Sequence, residues 1–201
     1  ANDPTARPPP SPKEPDQPVT ASRTALVEHL LAHSVKRGDF TLKSGKRSSW
    51  FIDAKQTTCR PQGMLLVADA ALEVIPEEAT AVGGLTMGAD AMAFSVAAIA
   101  ATRGRMLRAF SVRKEEKDHG AGGRIAGALE PGDKVVITED AVTRGVSMLE
   151  AAEVVRAVGA EPILLVPVVD RGGTVTAMAA EQGLAVRPLV TALDLGFAYE
   201  G

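Results

Sequence analysis

Cysteine is scarce in this 201-residue sequence, and so are long apolar runs and any excess of positive charge. The single cysteine, Cys59, excludes an internal disulfide framework and a zinc site made of several cysteines. No apolar run approaches the roughly 20 residues that a membrane span needs, and the N-terminus has no apolar signal segment. The 22 basic and 25 acidic residues leave a formal charge of −3, which argues against a protein that coats nucleic acid or an anionic membrane. We therefore expect a soluble, cytoplasmic protein without a nucleic-acid or membrane partner.

Proline is concentrated in the first 18 residues, which hold 7 of the 13 prolines and have only two alanines as apolar side chains. Because proline cannot donate a backbone hydrogen bond and this stretch has almost nothing to bury, we predict a disordered, proline-rich extension over residues 1–19. A proline-rich ligand for a partner domain is the alternative. The folded domain is then predicted over residues 20–201, a length typical of one domain with a sizeable core.

Within that domain, apolar runs typical of strands alternate with helical patterns. The first helix is predicted to be capped by Ser22, and a hairpin of two short strands follows it. The predicted strands are 40–42, 48–53, 80–83, 105–112, a short one at 125, 134–138, 162–169 and 184–190; the later helices are 62–74, 89–102, 147–158 and 174–182. Alternation of this kind means parallel pairing through helical crossovers. We predict an open, mostly parallel α/β sheet flanked by helices, with a small hood formed by the N-terminal helix and hairpin.

A candidate site follows the most apolar of these strands, because ligands of such sheets bind beyond the carboxyl ends of the strands. Glu139 and Asp140 come first, and two adjacent carboxylates can hold sugar hydroxyls or the water shell of a magnesium ion. Thr143, Gly145 and Ser147 then open a helix whose unpaired N–H groups favour a phosphate. An isolated acidic pair would be explained by a solvated strand end followed by an ordinary helix cap. The acidic pair, Thr143, Gly145 and Ser147 together in one tight turn favour a ligand site instead.

Several stretches of the chain resemble a known family. Residues 135–147, an apolar strand followed by two acids and Thr-x-Gly-x-Ser, resemble the phosphoribosyl diphosphate (PRPP) signature of the type I phosphoribosyltransferases. FTLKSG at 40–45 with WFID at 50–53 resembles the hood of the orotate phosphoribosyltransferases, and RKEEKDHG at 113–120 resembles their mobile catalytic loop. DRGG at 170–173 is also similar. The resemblance extends from about residue 22 to the C-terminus.

The resemblance implies a glycosyltransferase that converts orotate and PRPP to orotidine 5′-monophosphate and pyrophosphate, in the synthesis of UMP. It assigns the ribose hydroxyls to Glu139 and Asp140, and the pyrophosphate to a set of loop residues that includes Lys117, the expected stabiliser of charge in the transition state. The implied catalytic residues are thus Lys117, Glu139 and Asp140. The other implied PRPP contacts are Arg113, Lys114, His119, Ala141, Val142, Thr143, Arg144, Gly145, Val146 and Ser147.

For orotate, the resemblance implies two cationic donors, Lys43 and Arg171. Thr143 is expected between the two substrates, and Trp50 with Phe51 is expected to form an apolar, stacking wall. Base choice would rest on these residues, so a phosphoribosyltransferase for another nucleobase is one alternative. A non-catalytic regulator that senses PRPP or a nucleotide on the same fold is the other.

Magnesium and a second subunit are also implied by the resemblance. Mg²⁺ is expected to be held mainly by PRPP and water, with no direct protein ligand. A homodimer is expected, in which Arg113, Lys117 and His119 reach the partner's site. The chain departs from the family pattern at Glu139, where aspartate is more usual, and at Thr86-Met87, where many members have a Tyr-Lys pair that helps to bind the diphosphate. One expected diphosphate ligand is therefore absent.

Overall fold

The computed structural model describes residues 20–41, 45, 47–116 and 123–200, and the predicted proline-rich extension lies outside them. The helices are α1 (Ala21–His33), α2 (Lys55–Thr58), α3 (Pro61–Val74), α4 (Asp90–Thr102), α5 (Val146–Ala157) and α6 (Val175–Ala180). The strands are β1 (Val35–Thr41), β2 (Arg47–Ile52), β3 (Ala81–Leu85), β4 (Arg108–Val112), β5 (Ile125–Gly127), β6 (Lys134–Val142), β7 (Glu161–Asp170) and β8 (Val190–Thr191). None of the helices in the described ranges has the length and apolar character that a membrane crossing requires.

In the described part of the chain, six strands form one sheet in the order β5-β4-β3-β6-β7-β8. All neighbouring strands pair in parallel except β4 and β5, which are antiparallel. The predicted open, mostly parallel α/β sheet is thereby confirmed. The β1 and β2 strands form a separate antiparallel pair on the N-terminal side.

Helices cover both faces of the sheet because the central strands are apolar on both faces. Successive residues of a strand point to opposite faces, and β6 shows this clearly. Val136 packs in the cluster that contains α3 and α4, whereas Val135 and Ile137 pack in the cluster that contains α5 and α6. The sheet therefore lies between two apolar layers.

The order of the strands creates a crevice at one edge of the sheet. After β3 the chain crosses through α4 to β4, and after β5 it returns to the other side of β3 as β6. Loops that leave the carboxyl ends of β3 and β6 therefore run in opposite directions, which is the place where open α/β sheets bind ligands.

Two boundaries differ from the sequence prediction at the ends of the domain. The cap of α1 is Thr20 rather than Ser22, since the Thr20 hydroxyl accepts a hydrogen bond from the Arg23 N–H at 3.3 Å. The predicted last strand, 184–190, is reduced to a bridge at Val186 and the two-residue β8. The segment still follows β7, since the Arg187 N–H donates to the Leu165 carbonyl oxygen at 2.9 Å and the Leu189 N–H to the Pro167 carbonyl oxygen at 3.0 Å. Pro188 is tolerated between them because this strand lies at the edge of the sheet.

Candidate active site

The acidic pair, Glu139 and Asp140, lies inside β6 near its carboxyl end, and each residue is only 7% exposed. The sequence prediction ended this strand at residue 138. The strand instead continues because β7 supplies backbone partners as far as Asp170, which pairs with Val142. The Asp140 carboxylate accepts a hydrogen bond from the Ala141 N–H at 2.9 Å, so its position is fixed by the strand itself.

The loop from β3 to α4 lies directly against these carboxylates. A Cβ added at Gly88 would come within 1.8 Å of Glu139 Oε1 and 2.8 Å of Asp140 Oδ1. Only glycine therefore permits this approach with the acids in place. Met87, on the same loop, is 69% exposed.

Asp90, which the sequence analysis did not identify as part of the site, fixes the shape of that loop. Its carboxylate accepts hydrogen bonds from the Thr86 hydroxyl at 2.7 Å and from the Ser111 hydroxyl of β4 at 2.8 Å. An aspartate in the first turn of a predicted helix was the available signal, but it is equally typical of an ordinary helix N-terminus.

Burial changes the protonation of Glu139. It raises the pKa of the Glu139 carboxyl from its ordinary value of 4.5 to about 7, and the negative charge of Asp140 adds to this shift. Interactions with the Ser147 hydroxyl and with the Asp140 N–H lower the pKa of Glu139 and offset the effect only in part. Glu139 therefore exchanges its proton near neutral pH.

The turn between β6 and α5 has the geometry of an anion site. Gly145 is the N-cap residue of α5 and has φ 78°, a left-handed conformation that favours glycine. The Met148 N–H donates to the Gly145 carbonyl oxygen at 3.0 Å. The N–H groups before it, of Val146 and Ser147, are the ones that a helix N-terminus directs outward. Thr143 and Ser147 are half-buried beside this turn, whereas Arg144 is exposed.

The loop that follows β7 supports this turn from behind. A Cβ at Gly172 would lie 1.9 Å from the Thr143 carbonyl oxygen, so the two loops pack backbone to backbone. The Thr174 hydroxyl donates a hydrogen bond to the same oxygen at 2.9 Å. The loop after β7 therefore both packs against the β6–α5 turn and hydrogen bonds to it.

Arg171, also in the loop after β7, joins the sheet to the hood. Its side chain is 10% exposed and forms an ion pair with the Glu200 carboxylate. Its Nη2 group also donates to the Ser48 hydroxyl at 3.0 Å and lies 3.3 Å from the Trp50 carbonyl oxygen. The guanidinium carbon is 4.8 Å from the centre of the Trp50 ring, a cation–π distance.

The structure corrects the expected wall for a flat ligand. The Trp50 side chain is 1% exposed, and its ring stacks on Phe197 at 4.4 Å between centroids, so it belongs to the core. Adjacent strand residues face opposite sides, and Phe51 is accordingly turned outward and 40% exposed. Of the two aromatic residues, Phe51 is the one with an accessible ring.

The comparisons with known proteins decide the family. The chain is 36% identical over 178 residues to the orotate phosphoribosyltransferase of Rhodopirellula baltica, a match that covers 85% of this chain and 92% of that protein. This chain belongs to the orotate phosphoribosyltransferase family. Its structure is similar to that of the Mycobacterium tuberculosis orotate phosphoribosyltransferase in complex with Fe(III) dicitrate, with a TM-score of 0.77, 33% identity and coverage of 88% of this chain and 99% of the other. The same M. tuberculosis enzyme in complex with PRPP gives a TM-score of 0.73 at 31% identity, with the same coverage of both chains. No family model matches the chain.

The loop that resembles the catalytic loop of orotate phosphoribosyltransferases connects β4 to β5 at the same edge of the sheet. At its start, the Arg113 N–H donates to the Arg124 carbonyl oxygen at 2.7 Å, and the Arg113 guanidinium lies 3.4 Å from the Ile125 carbonyl oxygen. Lys114 is exposed. The expected contacts Lys117 and His119, and Lys43 in the hood, lie outside the described residues.

Lys55, at the start of α2, is a second residue of this site that the sequence analysis missed. Its ammonium lies 2.5 Å from Asp140 Oδ2 and 3.7 Å from Asp53 Oδ1. Partial burial lowers the pKa of Lys55, but the hydrogen bond to Asp140 and the charges of the nearby acids raise it by more, so the group stays protonated. Lys55 and Asp140 are 85 residues apart in the chain, and no local pattern signals their contact.

Proposed function

We propose that this protein transfers the phosphoribosyl group of PRPP to orotate, giving orotidine 5′-monophosphate and pyrophosphate for pyrimidine nucleotide synthesis. The observation that carries the proposal is the buried pair Glu139 and Asp140, which faces the glycine loop of β3 and is followed at once by the Gly145 turn. Acids for a sugar and an anion site for a phosphate stand next to each other, as a phosphorylated sugar requires. Membership in the orotate phosphoribosyltransferase family supports the choice of reaction.

The chemistry asks mainly for positioning and for electrostatic stabilisation. The bond from ribose C1 to the diphosphate oxygen breaks, and its electron pair leaves with the pyrophosphate. A ring nitrogen of orotate forms the new bond to C1 and gives up its proton, which the departing pyrophosphate can accept. Positive charge grows on the sugar ring in between. Glu139 and Asp140 bind the ribose hydroxyls in this proposal, and their negative charge stabilises the ring as it becomes positive.

The 5′-phosphate is assigned to the β6–α5 turn, residues 141–147. The N-terminus of the twelve-residue α5 offers the N–H groups of Val146 and Ser147 and the positive end of the helix dipole. The backing of Thr143 by Gly172 and Thr174 keeps this cradle in shape before the ligand arrives. A preformed cradle lowers the entropy cost of binding.

Orotate is assigned in this proposal to Arg171 and Thr143, on the loops that leave β7 and β6. A guanidinium suits a base that carries a carboxylate, and Lys43 of the hood is the second cation in this proposal. The Ser48 and Trp50 contacts fix the direction of the Arg171 side chain.

Magnesium is proposed as the cofactor. The described residues contain no group of three or more His, Cys, Asp or Glu side chains that could hold a metal ion directly. The carboxylates of Glu139 and Asp140 are hard oxygen donors that can accept hydrogen bonds from the water shell of an ion carried by PRPP, and the residues fit magnesium in that way. When bound, magnesium offsets the charge of the departing diphosphate.

The test is the magnesium-dependent loss of orotate absorbance when PRPP is added to the full chain. We expect product formation with orotate and a strong preference for orotate over uracil, hypoxanthine and adenine in competition. Preference for a purine would contradict the assignment of the base. Binding of PRPP in a calorimeter without product from any base would favour a PRPP-sensing regulator.

A homodimer with shared active sites is part of the proposal and rests on the family resemblance. Lys117, with Arg113 and His119, is proposed to act in the site of the partner subunit. Lys117→Ala is expected to lower turnover by about 10²–10³-fold, by analogy with the loss of an oxyanion donor, and to change PRPP affinity much less. Mixing Lys117→Ala with Asp140→Asn should restore activity in mixed dimers; if it does not, the loop acts within its own chain.

A further inference from the structure

We propose that Lys55 binds the diphosphate group of PRPP, and that Asp140 holds its ammonium ready until the ligand arrives. This inference rests on the proposed function, since it assigns PRPP to the crevice that the acidic pair lines. The observation behind it is the contact of 2.5 Å between Lys55 Nζ and Asp140 Oδ2.

The backbone that carries Lys55 is firmly anchored. The Ala54 side chain before it is 1% exposed, and Thr57 and Thr58 later in α2 are 0% and 1% exposed. The Thr57 hydroxyl lies 2.7 Å from the Ser34 hydroxyl, a buried hydrogen bond that ties α2 to the end of α1. The position of the Lys55 Cα is therefore set by the core and not by the ion pair.

The ammonium itself is open to a ligand. The Lys55 side chain is 48% exposed, whereas the Asp140 side chain is 11% exposed. A lysine has three N–H donors on a flexible stem, so the group can turn towards a new acceptor without any backbone movement. Asp140, in contrast, is held in place by the Ala141 N–H.

Charge balance explains why the Lys55 ammonium would exchange Asp140 for an oxygen of the diphosphate. A diphosphate beside the carboxylates of Glu139 and Asp140 needs a cation, and the adjacent loop brings Met87 there. Among the ion pairs of the described residues, Lys55 is the cation that contacts this acidic pair. Exchange of a carboxylate for a phosphate oxygen keeps the ammonium paired, and it frees Asp140 to accept hydrogen bonds from the ribose hydroxyls.

The test measures binding by calorimetry in one magnesium-containing buffer, with two probes, PRPP and inorganic pyrophosphate. Lys55→Met should weaken the binding of both by about 10- to 100-fold, the loss expected for one charge-assisted hydrogen bond. Lys55→Arg should retain most of the affinity, because it keeps a cation on a long stem. The matched control is Lys134→Met, which removes an exposed lysine from the opposite end of β6 and should bind both probes like the wild type.

Pyrophosphate separates the two roles that Lys55 could have. If Lys55 only positions Asp140, Lys55→Met weakens PRPP but leaves pyrophosphate, which has no ribose hydroxyls, within about twofold of the wild type; that result overturns the proposal. Unchanged affinity for both probes overturns it as well. If Lys55→Met fails to fold, Lys55→Gln, which keeps a polar side chain, replaces it in the same two binding measurements.

The two hypotheses fail in different ways. A wild type that makes orotidine 5′-monophosphate while Lys55→Met binds both probes normally refutes the role of Lys55 alone. A wild type that binds both probes but forms no product refutes the proposed function alone.

Discussion

Glu139 is a carboxyl group that the fold keeps near its point of ionisation. It is 7% exposed, it lies next to a second carboxyl, and its pKa is raised to about 7, mainly by burial. In the unfolded chain the same group ionises near 4.5. Between about pH 4.5 and pH 7, Glu139 therefore keeps its proton in the folded state and has lost it in the unfolded state. The stability of the ligand-free protein consequently depends on pH.

The first prediction concerns that pH dependence. Because the folded-state pKa of Glu139 is raised, its contribution to stability is complete below about pH 4.5 and is lost as the pH rises towards about 7. Glu139→Gln cannot ionise, so we expect its free energy of unfolding to improve relative to the wild type by about 2–3 kcal/mol between pH 5 and pH 8. Urea unfolding at both pH values measures this difference.

Glu153→Gln is the control for that experiment, since it removes an exposed carboxylate from α5. Its unfolding free energy should follow the wild type at both pH values. If Glu139→Gln also runs parallel to the wild type, the raised pKa of Glu139 is wrong.

At this scale the sequence could predict residues that stand together in the chain and no others. Glu139, Asp140 and Gly145 form a contiguous pattern, and the structure brings them to one crevice. The role of Lys55 could not be predicted, because its partner Asp140 is 85 residues away in the chain and the residues around Lys55 do not indicate the contact. The family resemblance implied one wall made of Trp50 and Phe51, whereas strand geometry places their two rings on opposite sides of β2.

Among the elements, the β6–α5 turn is the one to which the 5′-phosphate is assigned in the proposed function. Gly145 combines a left-handed φ with a close approach, because a Cβ there would come within 2.5 Å of Val175 Cγ2. The turn is thus pressed against the first residue of α6. A side chain at this position has to push α6 or α5 away.

The second prediction compares two glycines with similar backbone conformation. Gly145 and Gly183 have φ 78° and 71°, but a Cβ at Gly183 would meet nothing within 4 Å. Gly183→Ala should lose about 1–2 kcal/mol of unfolding free energy from the left-handed backbone alone. Gly145→Ala should lose about 1–3 kcal/mol more because of the overlap with Val175, and should also weaken PRPP binding.

Chemical denaturation and calorimetry with PRPP measure these effects. Equal destabilisation by the two substitutions would mean that Val175 moves aside without cost. Normal PRPP binding by Gly145→Ala would contradict the assignment of the phosphate to this turn.

Sequence patterns predicted the elements well and their ends poorly. The apolar runs identified β3, β6 and β7 because strands covered on both faces have to be apolar throughout. The end of β6 was placed too early, at residue 138, since the polar pair that follows reads as a loop. Its continuation depends on a partner strand, β7, which the residues of β6 do not reveal.

In the molecule as a whole, the last described residues bind the hood to the sheet. Phe197 stacks on Trp50 of β2, and the Tyr199 ring lies against Gly173, within 2.6 Å of where a Cβ would stand. Glu200 pairs with Arg171 and accepts a hydrogen bond from the Ser48 hydroxyl at 2.7 Å. Three separate parts of the chain meet at one partly buried ion pair.

The third prediction tests that junction. Glu200→Ala leaves the Arg171 guanidinium, in a side chain 10% exposed, without its carboxylate, and we expect a loss of about 2–4 kcal/mol in unfolding free energy. Glu153→Ala removes an exposed partner of Arg156, and it should cost only about 0.5 kcal/mol. Denaturant unfolding of both variants decides the matter; similar small losses would show that Arg171 does not depend on Glu200.

The fold class followed from the alternation of helices and strands, but this junction did not. Nothing in the sequence of residues 197–200 indicates a partner, because the contacts are made with a hairpin about 150 residues earlier in the chain. The role of the C-terminal segment in fixing Arg171 is therefore a finding of the structure alone.

The pairing of β3 with β6 also has a consequence for the growing chain on the ribosome. Thr80 and Lys134, which hydrogen bond where these strands begin, are 54 residues apart, and β4 pairs with the other side of β3 first. Until β6 emerges, one edge of β3 stays uncovered, and an apolar strand with an open edge is prone to associate with other chains. Nascent chains that stall before β6 should thus need a chaperone. They also lack the β6 side of the crevice and have only the β3 side.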